Sequence, residues 1–453
     1  MSAPDGDCEA LLALAQSVVD RAAPGEQLEC IVSRRRGTSV KAYDGEVESF
    51  SSAESFGLGI RVIRDHRQGF AHAGSHADDV VADTLAEARD NVAFGEPDEW
   101  NGLAEPDGVP VVEQDLWDPT LLDLGPEAKV DLALELERRV TGLDPRVRSV
   151  RSAGYADGAG AAAVASTAGV AVAGRSTSCS VSASALARDG DETQIGGAVD
   201  VGRAPGDLDL GEVAADAVDR ATRMLGASPT ASQRLTVVFD PRTAATLLAI
   251  AGGNLTGERV LKGRSPFADR LGDAIASPVL TLVDDPTDAR SLAADSHDGE
   301  GLACRRNPLV VDGVLDRFLH NSYSGRRAGA ASTGSAVRGA RTIPGVGCQA
   351  LSVVPGDRAP DELVAGIDRG ILVQSLSGVH SGVNAVSGDF SVGAEGLLIR
   401  DGALAEPVRE VTLGATLQRL LLGVEAVGSD LEWLPGGTGS ATLVIADVSL
   451  GGR

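Results

Sequence analysis

Aromatic residues make up only 3% of this 453-residue chain, so its core has to be built from Ala, Val, Leu and Ile. Basic residues are scarce as well: 40 Lys and Arg stand against 65 Asp and Glu, for a formal net charge of -25. The one compact basic run, Arg34-Arg35-Arg36, is too short to make a phosphate-binding surface, and nucleic acid is excluded as an expected partner. The acidity itself speaks for solubility. No eighteen consecutive residues are apolar, so no membrane span is expected. The five cysteines (Cys8, Cys30, Cys179, Cys304, Cys348) are dispersed, odd in number and without a C-x-x-C pair. They suggest neither a disulfide framework nor a zinc knuckle. Met1 to Ala23 carries Asp5, Asp7 and Glu9 where a signal peptide would be basic. Its Leu11, Leu12, Leu14, Val18 and Val19 recur at helical spacing, which predicts an amphipathic helix. The expected location is the cytoplasm.

The length exceeds what one core usually supports, so two domains are expected. Alternation through Leu28, Cys30 and Val32 predicts a strand over Glu26 to Arg34. Further strands are expected at Val40 to Tyr43, Val47 to Ser51 and Phe56 to Ile63, with hairpin turns at Asp44-Gly45 and Asp65 to Gly69. Gly57 and Gly59 fall within a strand, where a close backbone approach or a bulge explains them. His76 to Phe94 reads as a helix. Gly95 to Pro119, rich in Pro, Gly and acidic residues, reads as a connector. A second unit begins with a helix over Pro126 to Gly142. Strands between Val147 and Val201 follow, divided at Asp157-Gly158, Ala168-Gly169 and Asp189-Gly190, and a helix over Asp207 to Leu225 closes the unit. Short strands at Leu235–Phe239, Val279–Val283, Leu309–Val311, Ile371–Gln374, Gly396–Ile399 and Ala441–Ile445 come after, with helices over Arg242–Ala251 and Leu413–Leu422. The expected class is α+β with antiparallel sheets predominating. The expected division is 1–228, made of units 1–95 and 120–228, followed by a β-rich domain at 234–453, with the break between Leu225 and Leu235.

Chemistry is hard to find. A zinc hydrolase needs three protein ligands, an open position for water and a nearby base. The six histidines (His66, His72, His76, His297, His320, His380) include no His-Glu-x-x-His. His72 and His76 stand four apart, but the intervening Gly74-Ser75 reads as a strand exit and helix cap. The densest set of ligand-type residues is Asp295 to Glu300, with Asp284 and Asp285 upstream. It lacks the frame of an EF-hand and reads as a polar loop. Gly378 to Gly382 has His where a nucleophile elbow needs Ser. Neither a P-loop nor a dinucleotide fingerprint is present.

The order of motifs nevertheless resembles one family. Asp44-Gly45-Glu46-Val47-Glu48, Gly57 to Ile63 and Gly69-Phe70-Ala71 are followed by Asp298-x-Glu300-Gly301, Asp312-Gly313-Val314-Leu315 and Ser332-Thr333-Gly334-Ser335-Ala336-x-Arg338. Then come Asn384 to Ser391, Asp401-Gly402 and Val427 to Leu431. In this order they resemble the TldD/PmbA peptidases over nearly the whole chain. The resemblance implies a division within the family. TldD-like members carry His-Glu-x-x-x-His and a Cys near the C-terminus. Here Leu248 and Gly253 stand at the histidine positions, Ala249 stands at the glutamate, and Leu434 to Leu450 has no Cys. None of these side chains coordinates zinc or carries a proton.

The resemblance therefore implies the TldE/PmbA branch: a metal-free subunit, inactive alone, of a heteromeric peptidase. Its TldD-like paralogue would supply the zinc and cut unfolded peptides held as added strands. Asn384, Ser387, Gly388, Asp389 and Phe390 are the expected chamber lining. Two alternatives stand beside this reading. One is a standalone regulatory binder, as in the family's older description as a modulator of DNA gyrase. The other is a hydrolase using a metal at the Asp295–Glu300 loop.

Overall fold

The computed structural model describes residues 4–453; the first three residues of the expected N-terminal helix lie outside them. The first half of the chain runs α1 (Pro4–Val19), β1 (Gln27–Tyr43), β2 (Glu46–Arg64), β3 (Arg67–Ala73), α2 (Asp78–Val92), α3 (Thr120–Asp123), α4 (Pro126–Leu143), β4 (Val147–Ser166), β5 (Ala171–Asp189), β6 (Glu192–Gly202) and α5 (Leu210–Thr222). Its six strands form one antiparallel sheet in the order β3-β2-β1-β4-β5-β6. The stretches 1–95 and 120–228 therefore share a sheet, joined where β1 pairs with β4 from Glu29↔Ser166 to Ala42↔Ala153.

Two sequence expectations are corrected here. The predicted pairs of short strands at 26–43 and 47–63 are single strands of 17 and 19 residues. The Arg34–Gly37 interruption stays extended because β2 and β4 supply hydrogen bonds on both sides. Asp157-Gly158 lies inside β4, opposite Gly37 and Thr38, and is not a turn. The hairpins at Asp44-Gly45 and Asp189-Gly190 are where the sequence puts them, with positive φ at Asp44, Gly45 and Gly190.

Helices cover one face of this sheet. Leu11, Ala15 and Val18 of α1 pack with Val81, Leu85 and Ala88 of α2 on Leu28, Cys30 and Val32. Further along the same face, α4 and α5 pack on Val40, Ala42, Tyr155 and Val181. Each fully buried Val or Leu contributes ~1.5–3 kcal/mol. The opposite face of β2 is covered by the second half of the chain only at its C-terminal end, near Gly57 and Gly59, while Glu46–Phe56 is exposed. A Cβ on Gly59 would stand 2.4 Å from the Ala340 carbonyl oxygen, and one on Gly57 2.7 Å from the Ala340 Cβ. The two glycines are what let that loop approach the sheet.

The second half runs β7 (Gln233–Phe239), α6 (Pro241–Asn254), α7 (Gly257–Leu261), β8 (Leu282–Asp284), β9 (Asn307–Val311), β10 (Val314–Leu315), α8 (Ser322–Ala328), β11 (Ala336–Val337), β12 (Gly345–Val346), β13 (Leu351–Val353) and α9 (Pro360–Ala365). It continues with β14 (Arg369–Ser377), α10 (Val379–Gly382), β15 (Asp389–Arg400), β16 (Ala403–Thr416), α11 (Leu417–Leu422), β17 (Val424–Val427), β18 (Glu432–Trp433), β19 (Gly439–Ser440) and β20 (Leu443–Gly451). Two six-stranded sheets, β16-β15-β14-β7-β20-β17 and β10-β9-β8-β13-β19-β18, enclose a large apolar core with α6. The fold is α+β and mostly antiparallel, with parallel pairs at β7–β14 and β13–β19. The helix expected over Leu413–Leu422 begins only at Leu417, because residues 412–416 still pair with β15. The connector is strapped to the second half: Arg326 donates to the carbonyls of Trp100, Gly102 and Leu103, and Tyr323 to Asp98 at 2.7 Å.

Candidate functional site

Helix α6 begins with Asp240 accepting from Thr243 N–H at 2.8 Å, followed by Pro241 in its first turn. Leu248 is fully buried in the main core, whereas Ala249 is exposed and Gly253 half-buried. The structure thus does not bring Leu248 together with the other two. Ala249 and Gly253, four apart, share a face, and a Cβ on Gly253 would meet nothing within 4 Å. This donor set does not fit a zinc ion, since a methyl, an isobutyl group and a hydrogen offer no lone pair. Among the described residues no three His, Cys, Asp or Glu groups converge to hold a metal.

Local hydrogen bonds shape the loop that begins at Asn384. The Asn384 side chain accepts from Val386 and Ser387 N–H, while its backbone N–H donates to Asp389 O at 2.9 Å. Ser387 Oγ donates to Asp389 Oδ2 at 2.7 Å. Gly388, at φ 82°, lies where a Cβ would come 2.3 Å from Gln418 Oε1. Asn384, Ser387 and Asp389 are exposed on this loop, as is Val386 at its tip, whereas Phe390 is in the core. The structure brings four of the five expected lining residues into one loop and turns Phe390 away from it.

The Asp295–Gly301 segment is a loop whose carboxylates address backbone. Asp298 accepts from the N–H groups of Glu300, Leu302 and Ala336 at 2.9–3.0 Å, and Glu300 from Ser322 N–H at 2.9 Å. Asp284 accepts from Gln349 and Ala350 N–H through Oδ1, while its Oδ2 is buried without a hydrogen bond. Burial pushes the carboxyls of Asp284 and Asp298 up to about 7. His72 lies in β3, and His76 bonds Gly57 O at 3.0 Å.

Sequence reasoning missed an open cleft of ≈ 580 Å³ between the first sheet and the second half of the chain. Its floor is β1, β4 and β5; its opposite wall is the 293–299 loop with Ala336, Arg338 and Gln349. Two of the motifs that carry the family resemblance meet there, because Asp298 and Gly299 bond the backbone of Ala336. Arg338 of this wall also belongs to a buried triad. Glu29, 1% exposed, accepts from Arg61 Nε and Nη2 at 3.1 and 3.0 Å and also from Arg338 Nη1. Burial alone would raise the Glu29 carboxyl, but the guanidiniums of Arg338 and Arg61 hold it below the usual range.

Models of three consecutive domains match the chain: PmbA/TldA metallopeptidase domain 1 at residues 28–92, the central domain at 119–225 and the C-terminal domain at 232–452. The chain belongs to the PmbA/TldD metallopeptidase family. The metalloprotease PmbA of Escherichia coli O157:H7 is 28% identical over 407 residues, covering 89% of this chain and 88% of its own. A TldD homologue of Haemophilus influenzae is 25% identical over 438 residues, 90% of this chain and 89% of its own. Among solved structures, a protein of Bacteroides thetaiotaomicron described as a modulator of DNA gyrase superposes with a TM-score of 0.88 at 26% identity, covering 100% of both chains. TldE of Thermococcus kodakarensis shares the fold, with a TM-score of 0.87 at 24% identity over 98% of this chain and 99% of its own. Within this family frame, α6 lies in the matched C-terminal domain, and the cleft is built from all three matched segments.

Proposed function

We propose that this chain is the TldE-like, metal-free subunit of a two-component cytoplasmic peptidase, with a TldD-like paralogue supplying the zinc, the activated water and the general base. One observation carries the reading: the family frame is kept across three domains, while α6 has Leu248, Ala249 and Gly253 where the resemblance places the histidines and the glutamate. A chain that keeps the frame without ligands serves assembly. It forms one wall of an enclosed chamber in which an unfolded peptide is gripped as an added strand. The Asn384–Asp389 loop supplies part of that wall.

Co-expression with a TldD-like paralogue tests this. A stable complex, with chelator-sensitive peptidase activity above that of either chain, is the expected result; its interface should be of the obligate class, on the order of 2,000 Å² or more. A paralogue fully active alone, eluting separately from this chain at micromolar concentration, would refute the reading.

A further inference from the structure

Arginine binds a carboxylate best side-on, through the parallel N–H bonds of Nε and Nη2. Arg61 uses that edge on Glu29. Arg338 does not: it reaches the same carboxylate only through Nη1, and its Nε and Nη2 are buried without a hydrogen-bond partner among the described residues. The Arg338 side chain is 1% exposed, so bulk water does not solvate those two groups. A buried N–H without a partner is costly, and more so on a charged group. The charge does not balance either. Glu29 is one carboxylate between two guanidiniums, which leaves a buried positive excess.

Arg338 lines the ≈ 580 Å³ cleft, and the floor of that cleft suits a main chain. Ser33, Gly160, Ala162, Gly174 and Ser176 present only short side chains, so an extended peptide can lie close to the sheet. Arg35 rests across the strand at Gly158, with Nη2 2.9 Å from where a Cβ would be. With Arg34 and Arg175 it brings further cations to the cleft, whose lining also includes Asp295 and Asp298. None of the α6 positions Leu248, Ala249 and Gly253 lines this cleft.

We propose that the cleft is a carboxylate site that takes the C-terminal end of a peptide, with the terminal carboxylate held side-on by Nε and Nη2 of Arg338. The carboxylate supplies the two missing acceptors and neutralises the excess charge of the triad, while Arg35 draws it in. Because both nitrogens are buried, binding is accompanied by a small shift of the Arg338 side chain. The choice of a peptide as ligand rests on the subunit reading; the site itself is tested on the full chain alone, without a paralogue, so the two can fail separately.

The probe is a fluorescein-labelled Ala-Ser-Val-Ala-Leu pentapeptide as free acid, as carboxamide, and as a carboxamide carrying an internal Glu. Fluorescence anisotropy with the intact chain should show the free acid binding about ten-fold or more tighter than either amide. Arg338→Lys, which keeps the charge beside Glu29 but removes the fork, should abolish the difference. Arg35→Gln, at an exposed position, should weaken the free acid several-fold without altering the melting temperature. Should Arg338→Lys not fold, displacement of the free acid by sodium acetate from the natural chain carries the same information. Equal binding of acid and amide, equal binding of the Glu-bearing amide, insensitivity to acetate, or no binding of any probe overturns the proposal.

Discussion

Arg220 of α5 donates through Nη1 to Asp240 Oδ2 at 2.7 Å, across the junction between the central and C-terminal matched segments. The other oxygen of the same carboxylate caps α6 through Thr243, and Arg220 Nη2 also donates to Gln374 O in β14 at 2.8 Å. One guanidinium thus ties α5 to the start of α6 and to the sheet beneath it.

Removing it should hurt. Both partners are close to nine-tenths buried, so Arg220→Ala leaves Asp240 as an uncompensated charge and should cost about 3 kcal/mol. Urea denaturation followed by circular dichroism measures this. Arg234→Ala, which breaks an exposed pair with Asp447, should leave the midpoint where it was.

The second prediction concerns pH. Burial raises the Asp284 carboxyl from its ordinary value to about 7. Between those values the folded state holds a proton that the unfolded state has released. This contribution to stability is therefore full at low pH, declines as pH rises from about 4 to about 7, and is gone above. Asp284→Asn keeps an acceptor for Gln349 and Ala350 and does not ionise. Its melting temperature relative to the natural chain should be higher at pH 8 than at pH 5. A constant offset across that range would show that Asp284 is not protonated in the fold.

A third outcome follows from α6. The purified chain should retain only substoichiometric zinc after exposure to the metal, and should cleave no unfolded peptide. Elemental analysis of a verified single-protein sample checks this, and one zinc per chain with chelator-sensitive proteolysis would refute it. Leu248→Ala should lower stability by about 2–5 kcal/mol, because that position serves the core.

The loop at Asn384–Asp389 offers the fourth. Gly388→Ala forces a Cβ toward Gln418 at positive φ and should destabilise the chain by about 1–2 kcal/mol. Val386→Asp, at the exposed tip, should leave the melting temperature unchanged yet reduce peptidase activity of the co-purified complex several-fold. Unchanged activity would remove this loop from the chamber wall.

Much of the frame was legible because turn chemistry is local. Asp44-Gly45 and Asp189-Gly190 turn between paired strands, with positive φ at Asp44, Gly45 and Gly190, as their types require. The length of β1 was not legible, since Arg34-Arg35-Arg36-Gly37 carries no burial pattern and is held only by pairing on both sides. Asp157-Gly158 misled for a related reason: the same dipeptide that turns a hairpin elsewhere is here threaded between two long strands. The cleft was invisible for a different reason. Its residues come from around 31–35, 160–176, 293–299 and 336–349, and no local spacing joins them. Arg338 stood in a recognised motif, but its missing partners exist only once Glu29 is beside it.

The pairing of β1 with β4 also bears on synthesis. Residues 27–43 must wait until residues 147–166 have emerged from the ribosome before the first sheet can gain its fourth strand. In the second half, β7 waits much longer: its neighbours are β14 and β20, the latter at residues 443–451. Contacts so distant along the chain are slow to form, and β7 leaves the ribosome with both of its edges open. The chain should therefore depend on chaperones late in translation, and a product stopped before β20 should be insoluble rather than merely shortened.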